Sequence, residues 1–255
     1  MELMSQLHYS LRQLRLSGML DTLEQRNRQA IDGQWSYTEF LAALLEDEAE
    51  GRALKQLTTR LRQAKANTTK TLENFDFLFN PGLNRQSVLQ LASCEFVRRK
   101  RNVLLCGPTG VGKSHLAQAL AHEACRQGFR TLYISTHEML RHLHGGRADA
   151  SYEKRLKYYL RPDLLVLDDF GLKPLQPPMP EDLYDIIDAR YEQGSILLTS
   201  NRSPAEWPEL FGDPLLASAG LDRLAHQAEL VVIQGASYRA KDRQRLTEEV
   251  VLEMN

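Results

Sequence analysis

One eight-residue stretch limits what this chain can fold into more than any other: Gly107-Pro108-Thr109-Gly110-Val111-Gly112-Lys113-Ser114. It follows the short apolar run Val103-Leu104-Leu105 and opens onto a helical pattern with Leu116, Ala117, Leu120, Ala121 and Ala124 on one face. Strand, glycine loop and helix form the setting in which G-x-x-x-x-G-K-[ST] cradles phosphate. The glycines let the backbone curl so that successive N–H groups point inward at phosphate oxygens. The helix N-terminus adds partial positive charge. Lys113 would then reach the β- and γ-phosphates, and the Ser114 hydroxyl would hold Mg²⁺. Gly107 through Ser114 are therefore the expected nucleotide-binding residues.

The 255 residues leave room for a core domain with a smaller appendage. With 32 basic and 33 acidic residues, bulk charge points to no partner, and only local clusters can. Cys94, Cys106 and Cys125 are an odd set without metal-ligand spacing, and read as reduced thiols in a cytosol. The N-terminus lacks a basic segment followed by an apolar core, and no apolar run nears membrane-spanning length. The expectation is a cytoplasmic protein without a membrane partner.

Residues 1–70 read as helices only, a small all-α N-terminal domain. Leu7, Leu11 and Leu14, then Leu41, Leu44 and Leu45, then Leu54, Leu57 and Leu61 recur at helical intervals and predict a bundle core. Gly18 and Asp32-Gly33 read as breaks. Arg52, Lys55, Arg60, Arg62, Lys65 and Lys70 follow the acidic Glu46–Glu50 segment with no acid among them. That charge fits a solvated helix face, with Glu48 supporting Arg52, or a phosphate-contacting face for nucleic acid. Residues 71–84 read as a linker, too apolar at Phe75, Phe77, Leu78 and Phe79 to be a free tether. A helix over Ser87 to Val97 then leads into Arg98-Arg99-Lys100-Arg101, beside the nucleotide site.

Residues 85–255 alternate strand and helix. Strands are expected at 103–105, 131–134, 164–167, 195–199 and 229–233. Ser135 with Glu138, and Ser203-Pro204-Ala205-Glu206, open further helices. Apolar strands alternating with helices predict an α/β fold, a five-stranded parallel sheet covered on both faces. Its ligands sit beyond the strands' carboxyl ends. Asp168 and Asp169 end the third strand there. Asp168 is the expected Mg²⁺ partner of Ser114, and Asp169 would orient or deprotonate an attacking water. Asn201 ends the fourth strand and could bridge the γ-phosphate and that water. Arg223 and Arg239 flank the last strand and suit charge stabilisation at the γ-phosphate.

In this order Gly107–Ser114, Leu164–Asp169, Asn201, Arg223 and Arg239 resemble Walker A, Walker B, sensor 1, arginine finger and sensor 2 of AAA+ ATPases. More specifically, the chain resembles the IstB-like transposition helper ATPases of insertion sequences, sister to the DnaC-type helicase loaders. Phe75-Asp76-Phe77, Leu167-Asp168-Asp169-Phe170-Gly171, Ser200-Asn201-Arg202, Asp222-Arg223-Leu224 and Gly235-Ala236-Ser237-Tyr238-Arg239 carry the likeness, which covers nearly the whole chain. It implies an ATP- and Mg²⁺-dependent ATPase that oligomerises on double-stranded DNA and acts with a partner transposase. It also implies that Arg223 completes a neighbour's site in trans. The helices after the second strand, with Arg141, Arg147, Lys154, Arg155 and Lys157, correspond to a region that initiator-type AAA+ proteins use on DNA. Such contacts go to phosphates and predict salt-sensitive, weakly sequence-specific binding. Two departures stand out: the second Walker B acid is Asp169 rather than Glu, which predicts slow hydrolysis, and the C-terminal helical lid is expected to be much reduced.

Two rival functions share the loop. A DnaC-like replicative helicase loader would use the same ATPase core as an adaptor. A small-molecule P-loop kinase is opposed by the strand–helix unit between the loop and Asp168, and by the polar Asn201. His137, His142 and His144 lie among arginines without carboxylate or thiol partners, and read as surface residues rather than a zinc site.

Overall fold

Gly18, expected as a break, lies inside a helix. In the computed structural model, which describes residues 2–238 and residue 240, the chain divides into two compact units, Met1–Thr59 and Arg60–Asn255. The first holds α1 (Glu2–Gln13), α2 (Ser17–Asp32) and most of α3 (Tyr37–Ala64). The chain turns between α1 and α2 at Arg15, in the left-handed region, and Leu16 offers α2 no capping side chain. Glu48 on α3 caps it instead: its Oε2 accepts from Gly18 N–H at 2.6 Å and Met19 N–H at 3.2 Å. A carboxylate there satisfies orphan donors and complements the helix dipole. Glycine is needed because a Cβ at residue 18 would meet the Asp47 carbonyl oxygen at 2.6 Å. Arg52 Nε donates to the other Glu48 oxygen at 2.6 Å, and Arg26 grips Asp47 through two bonds of 2.8 and 2.7 Å.

The core of this unit is thin: Met19, Leu23 and Leu44 are buried, with Met4, Leu11, Leu16 and Phe40 against them. The expected bundle stripes are only partly used, since Leu7, Leu14, Leu41, Leu45 and Leu54 are exposed. Three helices have too little facing surface to cover every apolar position that the helical period supplies.

The second unit begins with the end of α3. Phe75 and Leu83 are buried in its core, and Asn84 caps α4 (Arg85–Ala92) by accepting from the N–H groups of Gln86 and Ser87. The single helix expected over 87–97 is two, because Cys94 takes a left-handed conformation before α5 (Glu95–Arg98). The strands β1 (Val103–Cys106), β2 (Thr131–Ser135), β3 (Leu164–Phe170), β4 (Ser195–Ser200) and β5 (Glu229–Val232) form one parallel sheet in the order β2-β3-β4-β1-β5. Between them run α6 (Lys113–Arg126), α7 (Thr136–Ala148), α8 (Tyr152–Leu160), α9 (Met179–Arg190) and α10 (Pro214–Ala225). The expected helix at Ser203 is instead two short 3₁₀ turns, Pro204–Glu206 and Pro208–Leu210. Pro208 has no N–H to give to Pro204 and so cannot extend the first turn as an α-helix.

Strand residues alternate between two apolar layers, as the pleat requires. Leu104, Leu132, Leu165, Leu167, Ile196 and Leu198 pack with side chains of α7, α9 and α10. Val103, Leu105, Leu164, Val166 and Leu197 pack with those of α4, α5 and α6. Burial on both faces explains the continuous apolar runs, and truncating one such leucine to alanine costs about 2–5 kcal/mol. At the amino-terminal end of the sheet, Asn102 ties β1 to its neighbours. Its carbonyl accepts from Glu229 N–H, its Oδ1 from Ile196 N–H, and its Nδ2 donates to the Leu224 carbonyl. The basic run 98–101 therefore sits at the start of β1, whereas the glycine loop follows its end. It is not beside the nucleotide loop, as expected, but the length of a four-residue strand away, about 13 Å.

Candidate nucleotide site

The glycine loop leaves β1 at its carboxyl end and enters α6. Gly107 and Gly110 have φ of 149° and 88°, values that favour glycine. Space requires it too: a Cβ on Gly107 would strike the Ile233 carbonyl, and one on Gly110 the Ser237 hydroxyl. Tyr238 N–H donates to the Gly110 carbonyl at 2.9 Å, so the segment after β5 closes over the loop. Lys113, the first residue of α6, is buried and donates from Nζ to the carbonyls of Gly107 and Pro108, both at 2.8 Å. Its ammonium is thus stationed inside the loop.

Asp168 is the centre of the site. It is buried and ringed by hydroxyls: Ser114 Oγ donates to Oδ1 at 2.9 Å, Thr199 Oγ1 donates to the same oxygen, and Tyr133 OH donates to Oδ2. Thr136 Oγ1 donates to the Asp168 carbonyl at 3.1 Å. These donors offset the cost of burying a carboxylate. Burial, and then the hydrogen bond to Asp168, push the Tyr133 phenol well above its ordinary range, so it stays a donor. Asp169 is exposed, with φ of 55°, where the ladder between β3 and β4 slips between Leu167 and Phe170. Its N–H donates to Thr199 Oγ1 at 3.0 Å, so one hydroxyl fixes both aspartates.

Asn201, just past β4, lines the same cleft, which has a volume of about 650 Å³. That lies within the ordinary range for ligand sites, about 300–1,000 Å³. Lys113, Ser114, Asp168 and Asp169 line it, together with Phe75, Phe79, Asn80 and Tyr238. The rings of Phe79 and Tyr238 meet edge to face at 5.0 Å. Asn80 is buried and donates from Nδ2 to the Val111 carbonyl at 2.6 Å, holding the segment before α4 against the loop. Ser114 and Asp168 present paired oxygen donors, the chemistry that Mg²⁺ takes together with phosphate oxygens. Among the described residues no group of three or more His, Cys, Asp or Glu could hold a metal by itself.

Sequence reasoning does not single out Tyr133 and Thr199 as site residues. Their one signal is a polar residue within or closing an otherwise apolar strand, and only the order of β2, β3 and β4 shows that both face Asp168.

Arg223 is not in the cleft. It lies in the last turn of α10, on the amino-terminal side of the sheet, with Nε on Asp188 Oδ1 at 2.8 Å, Nη1 on the Ala219 carbonyl at 3.0 Å and its guanidinium over the Tyr184 ring. Arg239 lies outside the described residues, as does nearly all of the segment after it. The basic candidates fall into two groups. Arg147 donates to the fully buried Asp182 at 2.5 Å and lies over Tyr152; Arg155 is spent on Asp149 at 2.5 Å and the His142 carbonyl at 2.6 Å. Arg52 is paired with Glu48, Lys55 Nζ donates to Ser17 Oγ at 2.6 Å, and Arg60 Nε to the Cys125 carbonyl at 2.8 Å. Arg62, Arg141, Lys154 and Lys157 are exposed. His142 hydrogen-bonds the Tyr159 hydroxyl at 2.7 Å.

A glycine phosphate loop after β1, an acid closing β3, a polar residue after β4, and the sheet order β2-β3-β4-β1-β5 together define a P-loop protein with the AAA+ fold. Within that class the chain belongs to the family of IstB-like ATP binding proteins, whose profile matches residues 9–246. It is 42% identical over 238 residues to a protein named as an ATP-binding protein in an insertion sequence of Mycobacterium tuberculosis, covering 93% of this chain and 95% of that one. It is 38% identical over 242 residues to the protein named as the ATP-binding protein of insertion sequence IS21 in Pseudomonas aeruginosa, covering 95% and 91%. Among solved structures, AMPPCP-bound DnaA from Aquifex aeolicus superposes with a TM-score of 0.55 at 23% identity, over 72% of this chain and 56% of that one. The chain thus spans little more than half of that longer protein, and the likeness is one of fold. Among the described residues, no helix is long and apolar enough to cross a membrane.

Proposed function

We propose that this protein binds ATP with Mg²⁺ in the glycine-loop cleft, hydrolyses it slowly, and in its ATP state assembles on double-stranded DNA to act with a partner transposase. The observation that carries this reading is the convergence of Lys113, the Ser114–Asp168 pair and Asn201 on one cleft of about 650 Å³. The loop N–H groups and the N-terminus of α6 bind the phosphates, and Lys113 turns from the loop carbonyls to the phosphate oxygens. Ser114 and Asp168 would hold Mg²⁺, which would supply charge neutralisation on the phosphates. Asp169 accepts a proton from the attacking water, and Asn201 orients that water. With Asp in place of Glu, the base is shorter by one methylene and hydrolysis is slow.

Arg223 cannot serve its own cleft from the far end of the sheet, and this supports its action on a neighbour's γ-phosphate. ATP binding and assembly are then coupled, because the arginine meets its phosphate only across a contact between copies. The relatives' names, tied to insertion sequences, support the transposition setting. Exposed Arg62, Arg141, Lys154 and Lys157 supply the DNA phosphate contacts. The test is to size the purified protein with and without duplex, using ATP, a non-hydrolysable analogue and ADP. Larger species that need both duplex and triphosphate are expected; a subunit indifferent to both overturns the proposal. Arg223→Ala should bind ATP, lose about 10³-fold or more in hydrolysis and assemble poorly.

A further inference from the structure

At the amino-terminal end of the sheet, opposite the cleft, lies a second concavity of about 210 Å³. Lys100 and Arg101 line it, from the turn before β1, together with Arg190 of α9 and Arg223 of α10. Among the described residues Glu192 is the one carboxylate lining it, and Asp188, paired with Arg223, adjoins it. The cations are not equivalent. The guanidinium of Arg190 is fully buried and spends its Nη groups on the carbonyls of Tyr159, Pro162 and Ser195 at 3.0, 3.0 and 2.8 Å. Arg223 is held by Asp188. Among the described residues, the side chains of Lys100 and Arg101 have no hydrogen-bond or ion-pair partner. Arg101 is nevertheless half-buried and lines the hollow together with Arg223.

Cations outnumber carboxylates around this hollow, which favours a further anion there. The hollow falls below the usual range for whole-ligand sites, so it suits a phosphate group and not a nucleotide. The cleft that holds a phosphate chain is at the other end of the same strands. A head-to-tail contact between copies, the heterologous kind that yields rings or filaments, would bring one copy's concavity to the next copy's cleft.

We infer that this concavity receives the terminal phosphate of a nucleoside triphosphate bound in the cleft of a second copy of the chain, with Arg101 joining Arg223 on it. The inference rests on the proposal above that the nucleotide lies between copies. It adds a second cation to that seam, carried by the turn before β1, and leaves Lys100 to raise the local positive potential.

Mixed subunits test it, read both by ATP hydrolysis and by ATP-dependent sizing, so that slow turnover cannot hide an effect. Lys113→Ala keeps the concavity but loses the cleft; Arg101→Ala and Arg223→Ala keep the cleft but alter the concavity. Arg101 makes no side-chain hydrogen bond or ion pair among the described residues, so Arg101→Ala should fold, and Arg101→Glu serves as a stronger form of the same change. Alone, Arg101→Ala should lose at least tenfold in hydrolysis, and mixing it with Lys113→Ala should recover activity at the hybrid seams. If Arg223→Ala is rescued by Lys113→Ala and Arg101→Ala keeps wild-type behaviour or is not rescued, Arg101 has no place at the seam and the inference fails alone. If neither mixture recovers, the trans reading itself fails. If Arg101→Ala loses only duplex affinity, with hydrolysis and assembly intact, the hollow binds DNA phosphate and the inference is overturned.

Discussion

The Ser114 hydroxyl donates to Asp168 Oδ1 over 2.9 Å, joining residues 54 apart in the chain. The contact forms only if α6 leaves the glycine loop in the right direction and β3 stands at the right height. The same carboxylate takes hydroxyls from Thr199 on β4 and Tyr133 on β2. Four elements are therefore registered on one buried charge, at the point where the metal ligands would be needed.

Thr199→Val tests that registration. Valine keeps the shape but removes the donor to Asp168 and the acceptor for Asp169 N–H. Leaving a buried group without its partner costs about 1–3 kcal/mol, and a chain of this size loses about 2–4 °C of Tm per kcal/mol. A fall of several degrees is expected in a thermal melt, with Thr199→Ser near wild type. An unchanged Tm for the valine variant would show that the hydroxyl is dispensable.

Lys113→Met keeps a buried aliphatic stem and removes the ammonium. Titration with a fluorescent ATP analogue should show affinity reduced at least tenfold, about 1.4 kcal/mol. Equal affinity would mean that the stationed lysine does not turn to the phosphates.

In the helical unit, hydrogen bonds from Arg26 and then Thr22 hold the Asp47 carboxyl down to about 2. Because the folded value lies below the ordinary carboxylate value, about 3.9, the pair stabilises the fold fully above about pH 4. That contribution is lost as pH falls through about 2. A carboxyl NMR titration should give a midpoint near the depressed value, returning toward the ordinary one in Arg26→Ala. A midpoint unmoved by that substitution would separate Asp47 from Arg26.

Cys94, Cys106 and Cys125 are all buried, and burial pushes Cys94 up to about 12, Cys106 up to about 11, and Cys125 upward as well. Thiolate, the reactive form, is therefore scarce in the folded protein at neutral pH. A thiol reagent should leave the native chain unmodified over minutes and label three groups at once in denaturant. Rapid labelling of the native chain would contradict the packing of α4, β1 and α6.

Much of the architecture was legible in the residues. The strand–helix alternation, the parallel sheet and the α/β class follow from short apolar runs and helical periods, which are local properties. The glycine loop was legible for the same reason, since its function depends on backbone freedom and spacing within eight residues. Local reading failed where neighbours intervene. Gly18 belongs to a helix because α3 passes close enough to exclude a Cβ and to cap its N-terminus. Leu41, Leu45 and Leu54 have the period of a core yet face outward, because periodicity fixes a helix face but not what covers it.

By itself, then, the sequence determined the elements, the phosphate loop and the acid that closes β3, because each is written in consecutive residues. Only the tertiary structure decided that Tyr133 and Thr199 converge on Asp168, and that Arg223 lies with Arg101 at the opposite end of the sheet. The physical reason is the order of the strands. Parallel pairing puts every carboxyl end on one side and every amino end on the other, so residues close in the chain part company and distant ones meet.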